Sequence, residues 1–442
     1  MTQNDKTKML IVLVAINTVN FFDRQVLGAV AEPIRKEFGL SDVQLGWLGT
    51  AFTLLYAMVG LPLGRMTDRL NRVRILGIGL FVWSALTATS GLARNFWQLF
   101  AMRLGVGVGE AACAPAATSL IGDCFPAHQR AKALSVFMLG LPLGIALSYA
   151  ISGSVAQAYG WRTAFYVAGI PGIFLAVATW FLREPGRGTT ETHAIGQRQR
   201  PGSPYWLVLS TPTMIWLVLS GVLHNFNMYA IGSFLAPYLM RFHETDIRTA
   251  GNISMAVYGL SGIPGLLLGG FLGDALMKRR ADGRMLLGGV AILIAVPLTF
   301  FALRIPAGDL LGFALLMGTG CGVMYVYYSA VYPTIHDVIE PSLRGTAVAL
   351  YFLAMYVIGA SFGPVGTGFL SDYFTKQAAS AAGIIEFTPK LLEPFRAEGL
   401  RSAMMIIPVL VAATSAVLFA GSRTVAKDRE KLQRWMEESA GK

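Results

Sequence analysis

The sequence predicts an all-α polytopic membrane protein whose twelve transmembrane helices form two pseudo-symmetric six-helix bundles. The first observation is composition: 54% of the 442 residues are hydrophobic and 14% are charged, whereas a soluble domain carries about 25% charged residues. The second is length, because the apolar segments are long enough to cross a bilayer as helices and too long for outer-membrane strands. The third is charge placement, because the basic residues concentrate between the apolar segments.

Polar segments divide the chain into predicted regions. An N-terminal bundle is predicted for residues 1–182, a flexible cytoplasmic linker for 183–205 and a C-terminal bundle for 206–424. Residues 425–442 form a tail that is either an amphipathic surface helix or a solvated segment. The polar N-terminus leads directly into a span and does not resemble a removable signal peptide. The predicted spans are 9–34, 43–66, 75–93, 96–122, 133–158, 163–182, 206–240, 249–276, 285–304, 310–336, 345–372 and 402–422.

The charge distribution predicts the orientation of the chain. With both termini cytoplasmic, most of the 36 Lys and Arg residues fall on the cytoplasmic side, as expected for spans in the plasma membrane or the bacterial inner membrane. The net charge of +11 is then a signature of topology rather than of nucleic-acid binding. Cys113, Cys124 and Cys321 lack paired spacing, which argues against a disulfide framework or a metal site. We expect no cofactor, no catalytic residues and no enzymatic activity, and we expect a monomer.

Four charged residues lie well inside the predicted spans, all in the first and fourth. Arg103 and Glu110 are seven residues apart and so share one helix face. Asp23 and Arg24 are adjacent and point about 100° apart. Charges at membrane depth are costly and usually face a bundle interior or a cavity. They predict a functional site, and a buried structural pair of Arg103 and Glu110 is the alternative.

Glycines in the fourth span predict close helix packing. Gly105 and Gly109, four residues apart, lie on a different face from the charges, where a neighbouring backbone can approach closely. The glycine spacing of this span recurs in the tenth span at Gly318, Gly320 and Gly322.

Other features of the first six spans recur in the last six. Asn20 corresponds to Asn225 of the seventh span. Two repeated halves around a central site are typical of secondary transporters. The buried charges are not repeated, because Leu316 stands at the position that matches Arg103 and Val323 at the position that matches Glu110. This asymmetry favours a functional role for the charges.

The seventh and tenth spans of the second half carry further candidate residues. His224, inside the seventh span, could carry protons or could be a hydrogen-bonded core residue. Tyr325 and Tyr328 of the tenth span could line a ligand wall or could form an aromatic packing stripe.

The segment from Gly60 to Arg74, GLPLGRMTDRLNRVR, resembles the loop signature between spans two and three of the major facilitator superfamily. Asn71 stands where that family usually has glycine. Arg103 and the glycine run up to Gly109 resemble its span-four signature. The resemblance covers nearly the whole chain and implies the major facilitator fold, with two bundles that alternate access to a midplane site. It also implies a cytoplasmic gate formed by Gly64, Asp68, Arg69, Arg72, Asp274, Arg130 and Arg344.

A narrower resemblance is to the spinster branch of that superfamily, on Asn20 to Arg24, Gly107 to Ala111 and Gln129-Arg130. It implies transport of lipids such as sphingosine phosphate or lysophospholipids, often with proton coupling. Related branches that carry hexuronates, other organic anions or drugs share part of this pattern.

Together these observations predict a proton-coupled transporter of an amphipathic anion, with small organic anions, sugar acids or drugs as the alternative substrates. Expected partners are the substrate, protons and the lipid bilayer. A lipid enzyme is disfavoured because no nucleophile and base cluster together, and an ATPase because the phosphate-cradling loop is absent. The predicted substrate-binding residues are Arg24, Arg103, Asn20, Asn225, Tyr325 and Tyr328, and the predicted proton carriers are Asp23, Glu110 and His224.

Overall fold

The computed structural model describes residues 2–186, 203–340 and 343–440, apart from the side chains of residues 61, 64, 65, 68, 69, 127, 128, 131 and 438–440. All regular secondary structure in these residues is helical. In the first half, the helices are α1 (Gln3–Ala29), α2 (Ala31–Phe38), α3 (Asp42–Arg69), α4 (Arg72–Ser90), α5 (Phe96–Glu110), α6 (Cys113–Cys124), α7 (Ala127–Met138), α8 (Gly140–Tyr159) and α9 (Trp161–Thr179).

The second half contains eleven α-helices in its described residues. Two π-helical segments, Met255–Leu260 and Met355–Ala360, and a 3-10 turn, Glu393–Phe395, join some of them. The helices are α10 (Pro204–Leu209), α11 (Pro212–Phe242), α12 (Ile247–Ser254), α13 (Gly262–Met277), α14 (Gly283–Ala302), α15 (Leu310–Val338), α16 (Arg344–Ala354), α17 (Ser361–Ala381), α18 (Pro389–Leu392), α19 (Arg396–Met404) and α20 (Ile406–Ala440).

Twelve helical segments among the described residues are long and apolar enough to cross a membrane, which confirms the predicted number. Five of them are interrupted: the fourth between α5 and α6, the fifth between α7 and α8, the eighth and eleventh by the π-helical segments, and the twelfth at the 3-10 turn and between α19 and α20. The first span ends earlier than predicted, at Ala29. The described part of the predicted tail continues the last helix, α20, without a break.

The described residues form two compact units, whose boundaries differ from those of the predicted bundles. Unit 1 contains the described residues of Met1–Ala194, Ala230–Leu260 and Pro364–Ala403, and unit 2 contains those of Ile195–Tyr229, Ser261–Gly363 and Met404–Lys442. The second half of the chain therefore contributes two segments to unit 1. Most of the predicted linker, residues 187–202, lies outside the described residues.

In unit 1, α1 packs against α8 and α9, and α4 packs against α5 and α9. Helix α4 approaches α5 closely at glycines, because a Cβ atom on Gly79 would lie 2.9 Å from the carbonyl oxygen of Gly109. A Cβ atom on Gly109 would lie 2.8 Å from that of Trp83. These contacts confirm the predicted glycine packing face of the fourth span. In unit 2, α14 packs against α15 and α20, and α13 packs against α15.

Candidate functional site

Helices α1 and α5 bring the four predicted charges together inside unit 1. Asp23 and Arg24 come from α1, and Arg103 and Glu110 from α5. Asp23 and Glu110 are fully buried, Arg103 is 1% exposed and the Arg24 side chain is 6% exposed. Two cations and two anions make this group electrically neutral when all four are ionised. We call it the charge quartet.

Within the quartet, Arg24 is the direct partner of Glu110. Its Nε–H donates to Glu110 Oε2 over 2.8 Å. The guanidinium also lies over three aromatic rings, 4.4 Å from the centroid of Tyr56, 5.0 Å from Phe21 and 5.3 Å from Phe52. Cation–π contacts of this kind stabilise a desolvated guanidinium. Arg24 is therefore held by one carboxylate and by an aromatic surface.

Arg103 is directed toward the backbone of α1. Its Nη1 donates to the carbonyl oxygen of Asp23 over 3.3 Å, and its guanidinium lies 5.0 Å from the centroid of Phe52. The Asp23 carboxylate accepts a long hydrogen bond of 3.5 Å from the Thr87 hydroxyl. Its Oδ1 atom has no hydrogen-bond partner among the described residues. Asp23 is thus a buried acid with spare hydrogen-bonding capacity.

The described residues do not form the alternative arrangement, a structural ion pair between Arg103 and Glu110. Both side chains lie on α5, but the ion pair of Glu110 is made by Arg24. Arg103 makes no direct ion pair with Glu110 among the described residues and attracts its carboxylate only at longer range. The seven-residue spacing brings the two side chains to one helix face, and the rotation of α1 decides which arginine reaches the carboxylate. Asn20, also buried, lies beside Glu110.

In unit 2, His224 lies in an aromatic environment. It is buried, and it stacks on Tyr327 with ring centroids 4.0 Å apart and packs edge-on against Tyr328 at 5.0 Å. Its Nε2 atom has no hydrogen-bond partner within the described ranges. The Tyr327 hydroxyl lies 2.8 Å from that of Ser220 and 3.0 Å from that of Tyr351.

The other substrate-binding candidates of unit 2 lie on the same two helices, α11 and α15. Asn225 uses its amide to donate to the Gly221 carbonyl oxygen on the same helix over 3.1 Å. Tyr325 is buried and packs on Tyr328 at 5.9 Å. The half-buried aromatic side chains around Tyr328, which we call the aromatic wall, are Tyr229, Tyr328, Tyr332, Phe352 and Tyr356.

Among the predicted gate residues of unit 1, Arg72 is the most fully bonded. It is buried and bonds with Asp123 at the end of α6, with Glu184 after α9 and with the carbonyl oxygen of Pro185. Arg130 donates to the Gly122 carbonyl oxygen over 3.0 Å. The predicted gate residues Gly64, Asp68 and Arg69 lie on α3, but their side chains are outside the described set.

Unit 2 contains a matching arrangement at the start of α14. Arg284 bonds with Asp274, a predicted gate residue, and with Asp337 at the end of α15, both over 2.7 Å. The predicted gate residue Arg344 begins α16 and acts electrostatically on His336. In each unit an arginine at the start of one span thus bonds to an aspartate at the end of the next span. Asp123, Glu184, Arg284 and Asp337 were not predicted to take part.

Sequence patterns also missed a large group of ionic contacts in unit 1. Arg241 near the end of α11 binds both Asp42 oxygens over 2.8 Å and donates to Glu32 over 2.7 Å. Asp372 accepts from the backbone amide groups of Asp42 and Val43. We call this group the Arg241 cluster, and its charged members are Glu32, Arg35, Asp42, Arg241, Asp372, Glu393 and Arg396.

Hydrogen bonds within the Arg241 cluster favour the charged form of its buried Arg35. For Arg35, burial opposes the charge, but the hydrogen bonds to Glu32 and Glu393 hold the pKa of the guanidinium above its ordinary value. Asp42, Glu32 and Arg35 are each at most 3% exposed. The partners are far apart in sequence, so no local spacing signals them.

Within the described residues, no group of His, Cys, Asp and Glu side chains could hold a metal ion.

Comparison with known proteins agrees with this architecture. The family model of the Major Facilitator Superfamily matches residues 13–364. A probable L-galactonate transporter of Escherichia coli (strain K12) is 29% identical over 391 residues, which are 83% of each chain. Protein spinster homolog 1 of Mus musculus is 26% identical over 455 residues, covering 98% of this chain and 84% of the mouse protein.

A solved structure extends the likeness to the whole fold. The crystal structure of a bacterial homolog of the human lysosomal transporter Spinster, in an inward-facing and unoccupied conformation, has a TM-score of 0.84 and 30% identity. The alignment covers 97% of this chain and 99% of that one. The chain is therefore an integral, multi-pass membrane protein that belongs to the Major Facilitator Superfamily of transporters, in its spinster branch.

Proposed function

We propose that this protein is a proton-coupled secondary transporter of organic anions that works by alternating access. The observation that carries the proposal is the charge quartet, two buried cations and two buried anions within the spans of unit 1. Buried charges at membrane depth are costly and are typical of ion and proton pathways. The second half of the chain has Leu316 and Val323 at the positions matching Arg103 and Glu110, so the repeated scaffold itself does not require these charges.

In this proposal, Arg24 and Arg103 bind the anionic head of the substrate, and Asn20 assists them. Each guanidinium group lies over an aromatic ring, Arg24 over Tyr56 and Arg103 over Phe52. A phosphate or carboxylate on Arg24 competes with Glu110, its present partner. Substrate binding therefore displaces the Glu110 carboxylate from its cation.

Displacement of Glu110 provides the coupling to protons. A buried carboxylate without a cationic partner is strongly destabilised unless it takes up a proton. Proton uptake on Glu110 leaves the quartet with one net positive charge, which the anionic substrate neutralises. The substrate and the proton thus stabilise each other's binding, as linkage requires. Asp23, whose Oδ1 lacks a partner among the described residues, is the competing proton carrier.

An amphipathic anion, such as a sphingolipid phosphate or a lysolipid, is the proposed substrate. The aromatic wall of unit 2 carries no charged side chain and offers apolar ring faces suited to an acyl chain. Tyr325, Tyr328 and Asn225 are its proposed contacts. The spinster homologues among the relatives favour this class by analogy.

A sugar acid is the second candidate. The E. coli relative is named as a probable L-galactonate transporter. The hydroxyl groups of Tyr328 and Tyr332 have no hydrogen-bond partner among the described residues, and such groups suit a polyhydroxylated ligand. Both candidates have the same anionic head chemistry, so the quartet argument applies to either.

The remaining parts of the proposal concern topology and gating. Both termini are proposed to be cytoplasmic, from the basic residues between spans, and the functional unit is proposed to be a monomer. The proposed gate comprises the seven residues of the loop signature and its partners. Arg72 and Asp274, with the ion pairs described above, brace the helix ends of their own units.

An uptake assay in proteoliposomes tests the proposal. The panel contains a lysolipid phosphate, its neutral dephosphorylated analogue and L-galactonate, each with and without an imposed pH difference. The wild-type protein should concentrate one of the anions only when the pH difference is imposed. Glu110→Gln mimics the protonated acid and should retain substrate binding but lose pH-driven accumulation, and Asp23→Asn is the matched control.

The outcomes separate the alternatives. If Glu110→Gln still accumulates substrate against a gradient and Asp23→Asn does not, the coupling role belongs to Asp23. If neither variant changes pH-driven accumulation, proton coupling through the quartet is wrong. Accumulation of L-galactonate but not of the lysolipid phosphate selects the sugar-acid candidate.

A further inference from the structure

Unit 1 has a cavity of about 480 Å³ that is separate from the charge quartet. It lies where α4 begins and α9 ends, so it is at one end of two membrane-spanning helices. A head group of a phospholipid would fit a cavity of this size. The lining residues are Asn71, Val73, Arg74, Ile78, Trp180 and Leu182.

We propose that this cavity binds the head group of an anionic phospholipid. Its one cationic lining residue is Arg74, whose exposed guanidinium has no ion pair or hydrogen bond to the described residues. The contrast with Arg72, two residues earlier, is informative. Arg72 is buried and bonded to two acids, so it links the helix ends. Arg74 is exposed and remains able to bind an anion. A guanidinium binds a phosphate group through short, charge-assisted hydrogen bonds.

Trp180 supplies the second recognition element. Its side chain is 74% exposed although it follows directly on a membrane-spanning helix. The indole N–H has no hydrogen-bond partner in the described part of the chain. Tryptophan at a membrane boundary typically places its ring among acyl chains and its N–H toward polar head groups. Arg74 and Trp180 therefore present a cation and a neutral donor at the same cavity.

An apolar track leads away from the cavity along α4. Ile78 is 61% exposed, Phe81 is 52% exposed and Val82 is 39% exposed. These residues follow Arg74 at intervals of four, seven and eight, which keeps them on one helix face. The arrangement matches a phospholipid, whose phosphate binds at the boundary while its acyl chain lies against the helix. Free phosphate would use the cation but not the track.

Native mass spectrometry of the full chain in detergent tests this proposal. The delipidated protein is titrated with phosphatidylglycerol and, separately, with phosphatidylcholine that has the same acyl chains. We expect one phosphatidylglycerol to be retained per chain, with phosphatidylcholine retained far less. Arg74→Ala should weaken retention about tenfold, the usual effect of losing hydrogen bonds to a charged group. Trp180→Phe should weaken it by a smaller factor.

Two controls make the result specific. Arg423→Ala removes an exposed arginine on α20 that lines no described cavity, and it should retain phosphatidylglycerol as the wild type does. Inorganic phosphate at the same concentration should not displace the lipid. Equal retention of the two lipids, equal retention by Arg74→Ala and the wild type, or displacement by inorganic phosphate would each overturn the proposal. None of these results depends on the transported substrate.

Discussion

Glu110 forms its ion pair with Arg24 of α1, at 2.8 Å, although Arg103 lies two turns away on its own helix. Arg103 instead donates to the Asp23 carbonyl oxygen. The pairing links the two helices that carry every charge of the quartet. Removal of Arg24 therefore leaves the Glu110 carboxylate without its ion-pair partner, whereas removal of Arg103 does not.

Arg24→Ala should destabilise the protein strongly. The variant leaves the fully buried Glu110 without its cation, and breaking a buried pair from one side costs about 3–5 kcal/mol. Thermal unfolding of the detergent-solubilised protein measures the loss.

The double variant Arg24→Met/Glu110→Gln is the matched control for Arg24→Ala. Removal of both charges leaves neither one unpaired, so the double variant should unfold near the wild-type temperature. It should nevertheless lose transport, because both proposed roles are gone. A double variant as unstable as Arg24→Ala would show that the lost packing of the arginine, rather than the isolated charge of Glu110, causes the destabilisation.

Arg103→Ala should weaken the binding of anionic substrates more than the binding of their neutral analogues. Loss of one hydrogen-bonded cation predicts about a tenfold weaker affinity for the anion. Equilibrium binding of a lysolipid phosphate and of its dephosphorylated analogue provides the comparison. Arg94→Ala, at an exposed arginine outside the quartet, should affect neither ligand. Equal losses for the two ligands would assign Arg103 a structural role.

Sequence patterns predicted the number of spans because the bilayer imposes a minimum apolar length on each. They were less accurate at the ends of the spans. The predicted first span continues to Ile34, yet α1 ends at Ala29 and a separate helix, α2, begins. The position of α2 depends on Glu32 and Arg35, whose partners Arg241 and Glu393 are some 200 to 360 residues away. No local pattern contains that information.

The sequence predicted which charged residues form the quartet, but it did not predict which of them form an ion pair. Charges are rare in spans, so Asp23, Arg24, Arg103 and Glu110 were identifiable from sequence. Which arginine reaches Glu110 depends on how α1 is rotated against α5, which is a property of tertiary packing.

Arg241→Ala should cost far more stability than Arg162→Ala. Arg241 is buried between two acids, so its loss leaves Asp42 and Glu32 short of a cation, at about 3–5 kcal/mol. Arg162 also forms an ion pair, with Glu37, but both side chains are over a third exposed. Such a pair contributes about 0–1 kcal/mol. Thermal unfolding of both variants makes the comparison, and similar losses would contradict the importance of the Arg241 cluster.

The Arg162 pair also predicts a pH dependence. The hydrogen bond from Arg162 holds the pKa of Glu37 below its ordinary value. The small contribution of the Arg162–Glu37 ion pair to stability is therefore present at pH values above the ordinary pKa of a glutamate. It is lost as the pH falls through the lowered pKa of Glu37 in the folded protein. The stability difference between Arg162→Ala and the wild type should become smaller in acid, and the part that remains should reflect the contacts of Arg162 with the Ala93 carbonyl oxygen and the Trp161 ring.

His224→Phe should preserve pH-driven transport. His224 is the third candidate proton carrier, but its described contacts are those of a packed ring, with Tyr327 stacked at 4.0 Å and Tyr328 edge-on at 5.0 Å. Phenylalanine keeps the stacking and removes the titratable nitrogen atoms, so coupling through the quartet should continue. His224→Ala, by contrast, removes the ring and should cost about 2–5 kcal/mol through the cavity that it leaves.

Uptake driven by an imposed pH difference and thermal unfolding together decide the role of His224. Full accumulation by His224→Phe, with destabilisation by His224→Ala, indicates a packing residue. Loss of accumulation by His224→Phe at unchanged stability would make His224 a proton carrier. Tyr351→Phe then serves as a second test, because it removes the hydroxyl group 3.0 Å from that of Tyr327. A relay through these hydroxyl groups would require both variants to lose pH-driven transport, whereas a packed aromatic group tolerates both.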